Sequence, residues 1–235
     1  MSDTCSHTKF VIPPPSIPSV AVKGIDARFP VRRIFCVGRN YAAHAREMGR
    51  DPDREPPFFF LKPSDTVLDS GVSVPYPPQT KNFHYEIELV VAIGVGGWDI
   101  PIERALNHVY GYAVGIDLTR RDLQLAAREQ GRPWDWGKGF DLSAPCAPLQ
   151  TVAQIGHPGN GRIWLAVNGA VKQDSDLSEL IWGVPEIISC ISQSMTLAPG
   201  DLIMTGTPAG VGPIVVGDRV TGGIDGLGEI DITIT

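Results

Sequence analysis

Residues 85–94 read Tyr-Glu-Ile-Glu-Leu-Val-Val-Ala-Ile-Gly, the strongest strand signal in this 235-residue chain. Polar and apolar side chains alternate through the first half, and the second half is wholly apolar. A strand that starts at an open site and runs into a core has this pattern. Outward from it, Gly111 to Ile116 is a second apolar strand, ending at Asp117. Thr119-Arg120-Arg121-Asp122 follows with capping-box spacing, which predicts a helix of about ten residues closed by Gly131 and Pro133.

Short elements fill the rest. Ile34–Val37 and Phe58–Leu61 read as strands, and Tyr41–Met48 as a helix ending at Gly49. Asn168-Gly169, between Ile163–Val167 and Ala170–Lys172, predicts a hairpin. Pro185 to Leu197 carries Ile187, Ile188, Ile191 and Met195 on one face, an amphipathic helix with proline in its first turn. The last 35 residues are short strands between glycine turns. With 26 Gly and 21 Pro, the chain holds too many helix breakers for a helical bundle. The expectation is a β-rich α+β fold with few short helices: a Pro-rich segment, residues 1–30, packed as an N-terminal extension on a body spanning 31–235.

Composition narrows the function. A net charge of −6 argues against nucleic acid, whose phosphates need a basic excess. There is no run of 18 apolar residues and no basic segment leading into an apolar one, so neither a membrane span nor a secretory signal is read. Cys5, Cys36, Cys146 and Cys190 form no CxxC pair, and a reduced, cytoplasmic protein is expected. No G-x-S-x-G elbow or H-E-x-x-H motif points to a serine hydrolase or zinc protease.

Four groups carry chemistry. Glu86 and Glu88, two apart on a strand, share a face roughly 6.6 Å apart. At about 7 Å their carboxylates repel by roughly 2 kcal/mol at an effective dielectric near 20. A hard divalent cation reverses that repulsion, with Asp117 as a third oxygen donor; two surface glutamates on an exposed edge give the same spacing. His44 and Glu47, at i and i+3 of a helix, form either a proton-abstracting pair or an ordinary surface pair. Lys138 stands between Gly137 and Gly139, which let backbone approach a ligand or simply make a surface turn. Thr205-Gly206-Thr207-Pro208-Ala209-Gly210-Val211-Gly212 offers hydroxyls and backbone amides to a carboxylate, or is a turn between strands; it lacks the Lys of a phosphate-binding P-loop.

Taken in order, these groups resemble the fumarylacetoacetate hydrolase superfamily over nearly the whole chain after residue 30. The matching stretches are VGRNYAAHAREMG (37–49), FFFLKPSDTV (58–67), NFHYEIELVVAIG (82–94), GYAVGIDLTRRDLQ (111–124), WDWGKGFDLSAP (134–145), VNGAVKQDSD (167–176) and PGDLIMTGTPAGVGP (199–213). They are most similar to its short fumarylpyruvate hydrolase and acylpyruvase branch. The resemblance implies a mixed β-sandwich roll, usually dimeric, with Mg²⁺ (or Mn²⁺ or Ca²⁺) held by Glu86, Glu88 and Asp117. It implies a water-activating pair in His44 and Glu47, a catalytic Lys138 beside the metal, and substrate contacts from Arg121, Gln124 and Thr207. The implied reaction is hydrolysis of a C–C bond in a 2,4-diketo acid such as fumarylpyruvate; oxaloacetate decarboxylation, or 2-keto-acid isomerisation, is the alternative. Arg32, Arg33, Arg39, Arg46, Arg50 and Arg54 crowd this region as a solvated face or as partners for a second substrate carboxylate.

Overall fold

The computed structural model describes residues 9–42 and 55–235. The expected β-rich α+β roll is the one observed, with strands in both parallel and antiparallel pairings. The largest sheet has eight strands. Its main path runs Phe58–Lys62, Arg33–Gly38, Asp201–Met204, Ile87–Ile93, Val109–Ile116, Ala144–Cys146, Val67–Asp69, and Gln150–Thr151 pairs with Val109–Ile116 off that path. A five-stranded sheet runs Ala170–Asp176, Arg162–Val167, Arg219–Ile224, Gly228–Ile234, Ser73–Val74. A small sheet joins Thr119–Arg120, Phe83–Tyr85 and Gly212–Pro213.

The Ile87–Ile93 strand is buried along its whole length, which explains the apolar run Leu89–Ile93. Leu89, Val91 and Ile93 point into one core together with Leu165, Ile203 and Ile232. Val90 and Ala92 point into a second core, roofed by Val20, Val22 and Phe29 of the Ser19–Val22 and Ile25–Pro30 hairpin. Glu88 has the parity of Val90 and Ala92, so at the end of the strand apolar side chains give way to an acid on the same face.

The single strand read at 85–94 is two. Phe83–Tyr85 belongs to the small sheet and Ile87–Ile93 to the large one, with the break at Glu86. The capping box read at Thr119–Asp122 does not form. The helix runs Arg121–Glu129 with no side-chain cap, because Asp122 is taken by the Thr80 hydroxyl at 2.6 Å and the Lys81 amide at 2.9 Å. Gly131, at φ 64°, ends it as expected. The helix read at Pro185–Leu197 spans Val184–Ser194 and buries Ile187, Ile188 and Ile191, while Met195 lies past its end and is exposed. The hairpin turn has Asn168 at φ 51° and Gly169 at φ 81°, the two positive values a tight two-residue turn requires. Of the helix read at Tyr41–Met48, Ala42 is helical; residues 43–48 lie outside the described residues. Among the described residues no helix is long and apolar enough to cross a membrane.

Candidate active site

The break at Glu86 is where the site forms. Ile87 pairs with Ile116, so the residues just beyond that pair, Glu86 and Asp117, emerge side by side at the same end of two neighbouring strands. The Asp117 amide donates to the Glu86 carbonyl at 2.8 Å, tying the two chain exits together. Glu88 stands one pleat further in. The three side chains are buried, and one carboxylate oxygen from each lies within 4.8 Å of the others. At that separation two ionised carboxylates repel by about 3 kcal/mol at an effective dielectric near 20.

Cations answer two of the three acids. Lys138 Nζ donates to Glu86 at 2.8 Å, to Asp117 at 2.6 Å and to the Thr119 hydroxyl at 2.8 Å. Burial pulls the Lys138 ammonium down, but Asp117 and Glu86 outweigh it, and the net shift is upward, so it stays charged. Arg121 pairs with the other oxygen of Glu86 and donates to Gln124. Lys62 Nζ lies 2.8 Å from Asp117 Oδ1. Glu88 differs: it accepts the Gly206 amide at 2.7 Å, and among the described residues no ion pair reaches it. Burial first, then Asp117 and Glu86, push its carboxyl well above the usual range. A buried all-oxygen donor set with one acid lacking a cation partner fits a hard divalent ion.

Lys138 arrives by a route other than the one its flanking glycines suggest. It ends a one-turn helix, Asp135–Lys138, rather than a loop. A Cβ on Gly137 would lie 2.8 Å from the backbone nitrogen of Gln124. That glycine therefore lets the short helix seat against Arg121–Glu129 and is not a ligand approach. In the 205–212 turn the Gly206 amide serves the protein's own Glu88. Gly206 sits at φ 98°, with room for no Cβ beside Asn40. Thr207 does face the site.

One pocket joins Glu86, Glu88, Asp117, Arg121, Gln124, Lys138 and Thr207, all the expected site residues except His44 and Glu47, which lie outside the described residues. Two residues that sequence reading passed over support it. Lys62 is almost fully buried and donates to the Leu118 carbonyl at 3.1 Å and to the Lys138 carbonyl; a lysine closing an apolar strand was its signal. Gln173 accepts the Ile87 amide at 3.0 Å and donates to the Thr207 hydroxyl and the Pro208 carbonyl, both at 2.8 Å. Nothing in its hairpin strand marks it. Desolvation and the neighbouring Arg121 push the half-buried His84 imidazole down to about 4, so it is neutral at pH 7.

Comparison with known proteins gives a consistent picture. The family model described as "Fumarylacetoacetate (FAA) hydrolase C-terminal" matches residues 33–235. The chain is similar to fumarylpyruvate hydrolase of Ralstonia sp, 48% identical over 192 residues, covering 80% of this chain and 98% of the relative. A mitochondrial oxaloacetate tautomerase of Arabidopsis thaliana is 42% identical, covering 86% and 90% of the two chains. Among solved structures, fumarylpyruvate hydrolase from Pseudomonas aeruginosa in complex with Mn²⁺ and pyruvate superposes with a TM-score of 0.95 at 55% identity, covering 97% of this chain and 99% of that one.

Proposed function

The chain belongs to the fumarylacetoacetate hydrolase family, and from that premise we propose that it hydrolyses a C–C bond in acylpyruvates, fumarylpyruvate first among them, to a carboxylic acid and pyruvate. The observation that carries this reading is the buried meeting of Glu86, Glu88 and Asp117 with Lys138 and Thr207 in one pocket, together with the likeness to an enzyme solved with Mn²⁺ and pyruvate. Residues 31–235 are the catalytic domain and residues 1–30 its extension, acting as a cytoplasmic homodimer.

Glu86, Glu88 and Asp117 hold the divalent ion, Mg²⁺ in this reading, with Mn²⁺ or Ca²⁺ able to replace it. When bound, the ion supplies Lewis-acid polarisation of the 2-oxo acid end of the substrate. Thr207, fixed by Gln173, offers its hydroxyl to the substrate carboxylate. Arg121 and Gln124 orient the diketo segment, and Lys138 holds negative charge that develops there. His44, supported by Glu47, takes the proton from the attacking water. The second reading, oxaloacetate chemistry, draws on the similarity to the Arabidopsis tautomerase; it uses the same acids and needs no attacking water.

Steady-state rates on fumarylpyruvate, acetylpyruvate and oxaloacetate, before chelation, after it and after reloading with Mg²⁺ or Mn²⁺, test this. Acylpyruvate cleavage that vanishes with chelator and returns with metal is expected, as is a loss of about a hundredfold or more in His44→Ala at unchanged metal affinity. Undiminished turnover after demetallation rejects the metal role. Turnover of oxaloacetate alone selects the second reading.

A further inference from the structure

Gln173 is the one fully buried residue of the Ala170–Asp176 strand, whose other side chains are exposed or half-buried. A bulge turns it inward. Leu165 pairs with Gln173 and Ala166 pairs with Val171, so Lys172 has no counterpart in the neighbouring strand. An unbroken strand puts residues two apart on one face. Here the extra residue re-aims the second of them, leaving Val171 exposed and Gln173 sealed in the core. The 205–212 turn is seated on that bulge: a Cβ on Gly210 would lie 2.1 Å from the Lys172 carbonyl oxygen and 3.4 Å from the Gln173 Cα.

Inside, Gln173 joins three pieces of the molecule. Its Oε1 accepts the Ile87 amide at 3.0 Å, and its Nε2 donates to the Pro208 carbonyl and to the Thr207 hydroxyl oxygen, both at 2.8 Å. The side-chain amide cannot be turned round, because the Ile87 nitrogen can only donate and the Pro208 carbonyl only accept. Toward Thr207 it is therefore a donor, and the hydrogen of the Thr207 hydroxyl is left for another acceptor. Among the described residues none takes it, and Thr207 lines the pocket that holds Glu86, Glu88 and Asp117. The other end of the same amide is fixed on Ile87, the residue between Glu86 and Glu88. One buried side chain thus ties the strand of the acids to the hydroxyl across the pocket from them.

We propose that Gln173 is a positioning residue: it presents Thr207 to a ligand as a hydrogen-bond donor, at a separation from the acids set by its own length. A group that only accepts hydrogen bonds, the carboxylate of a 2-oxo acid, is what a hydroxyl held in this way recognises. The inference rests on the acylpyruvate reading above and adds to it the residue that orients the carboxylate contact.

The test is calorimetric binding of pyruvate to the Mn²⁺-loaded protein, with KM and kcat for fumarylpyruvate alongside, in wild type, Gln173→Met, Gln173→Glu, Thr207→Val and Gln173→Met/Thr207→Val. Methionine fills the same space with no amide; glutamate keeps the bond from Ile87 and puts an acceptor against Thr207 in place of a donor. Each single variant weakens pyruvate binding about tenfold, the effect of one hydrogen bond to a charged group. KM rises more than kcat falls, and Mn²⁺ affinity changes far less than pyruvate affinity. The double variant binds pyruvate no more weakly than Thr207→Val, because Gln173 has nothing left to orient. Losses that multiply in the double variant, unchanged pyruvate affinity in Gln173→Met, or Mn²⁺ affinity falling as far as pyruvate affinity each overturn the positioning role. If Gln173→Met does not fold, Gln173→Glu decides, and pyruvate affinity equal to wild type overturns the assignment. Wild type that binds Mn²⁺ but neither binds pyruvate nor cleaves fumarylpyruvate overturns the acylpyruvate reading and this assignment with it.

Discussion

Asp201 and Glu88 are both buried carboxylates at strand ends of the same sheet, and their surroundings are opposite. Asp201 is saturated: Arg32 and Arg33 reach both of its oxygens, and the Ala198 amide adds a bond at 2.9 Å. Glu88 accepts the Gly206 amide at 2.7 Å and stands within 4.8 Å of two further acids. A buried charge kept for structure is given every partner it can use, because an uncompensated one costs several kcal/mol. A buried charge left short of partners, among like charges, opposes folding and persists where something else is to fill the gap. The contrast separates scaffold from site more sharply than burial alone, since both side chains are nearly inaccessible.

Exchanging each acid for its amide breaks the contrast in opposite ways. Glu88→Gln removes a proposed metal ligand and a carboxyl whose ionisation burial, Asp117 and Glu86 oppose. Turnover at saturating Mn²⁺ falls about a thousandfold, the several kcal/mol that a Lewis acid contributes. The metal-free variant melts no lower than metal-free wild type, because the cost of burying this carboxyl beside Asp117 and Glu86 is removed. Wild type gains about 2.7 kcal/mol at a metal concentration one hundred times Kd, and the variant loses that gain. Calorimetry with and without Mn²⁺ reads both quantities; equal metal stabilisation in the two proteins refutes the ligand assignment. Asp201→Asn is the reverse case. It is destabilised by about 3 kcal/mol, since the charge is lost and one of the two oxygens that accept from two guanidiniums and the Ala198 amide becomes an NH2 facing those donors, while turnover of the folded fraction is kept. Urea unfolding checks it, and a stable Asp201→Asn protein with impaired catalysis would invert the two roles.

Much of this was readable in advance, for reasons that differ residue by residue. Asn168-Gly169 and Pro185 are local instructions, and both elements formed where expected. The three acids were found because two lie two apart in one strand-like stretch of sequence and the third closes the next strand, and register then brings them together. The break at Glu86 was not readable: an apolar–polar alternation looks the same whether a strand stays in one sheet or passes into a second. Thr119 and Asp122 had the spacing of a helix cap, but Thr80 and Lys81, some forty residues away in sequence, took the acid. The clustered arginines looked equivalent in sequence, and tertiary partners alone distinguish Arg33 on Asp201 from Arg39 on Trp134. Lys62 and Gln173 are single polar residues in strands, whose burial no pattern announces.

The smallest expected effect concerns how each acid obtains its cations. Arg32 and Arg33 flank the strand paired with Asp201 and reach it directly, whereas Lys138 depends on the packing of one short helix against another. At Gly137 a Cβ would sit 2.8 Å from both the nitrogen and the Cβ of Gln124, so in Gly137→Ala the two helices must part, costing about 1–2 kcal/mol. Gly217→Ala is the matched control. It meets nothing within 4 Å but forces alanine to φ 95°, a backbone cost of similar size. Both variants should melt a few degrees below wild type, and Gly137→Ala alone should lose turnover, by about tenfold, as Lys138 withdraws from Glu86 and Asp117. If the two glycine variants lose stability equally and turnover in neither, Lys138 finds its acids without help from the helix packing, and the centre is less dependent on position than the Asp201 cluster.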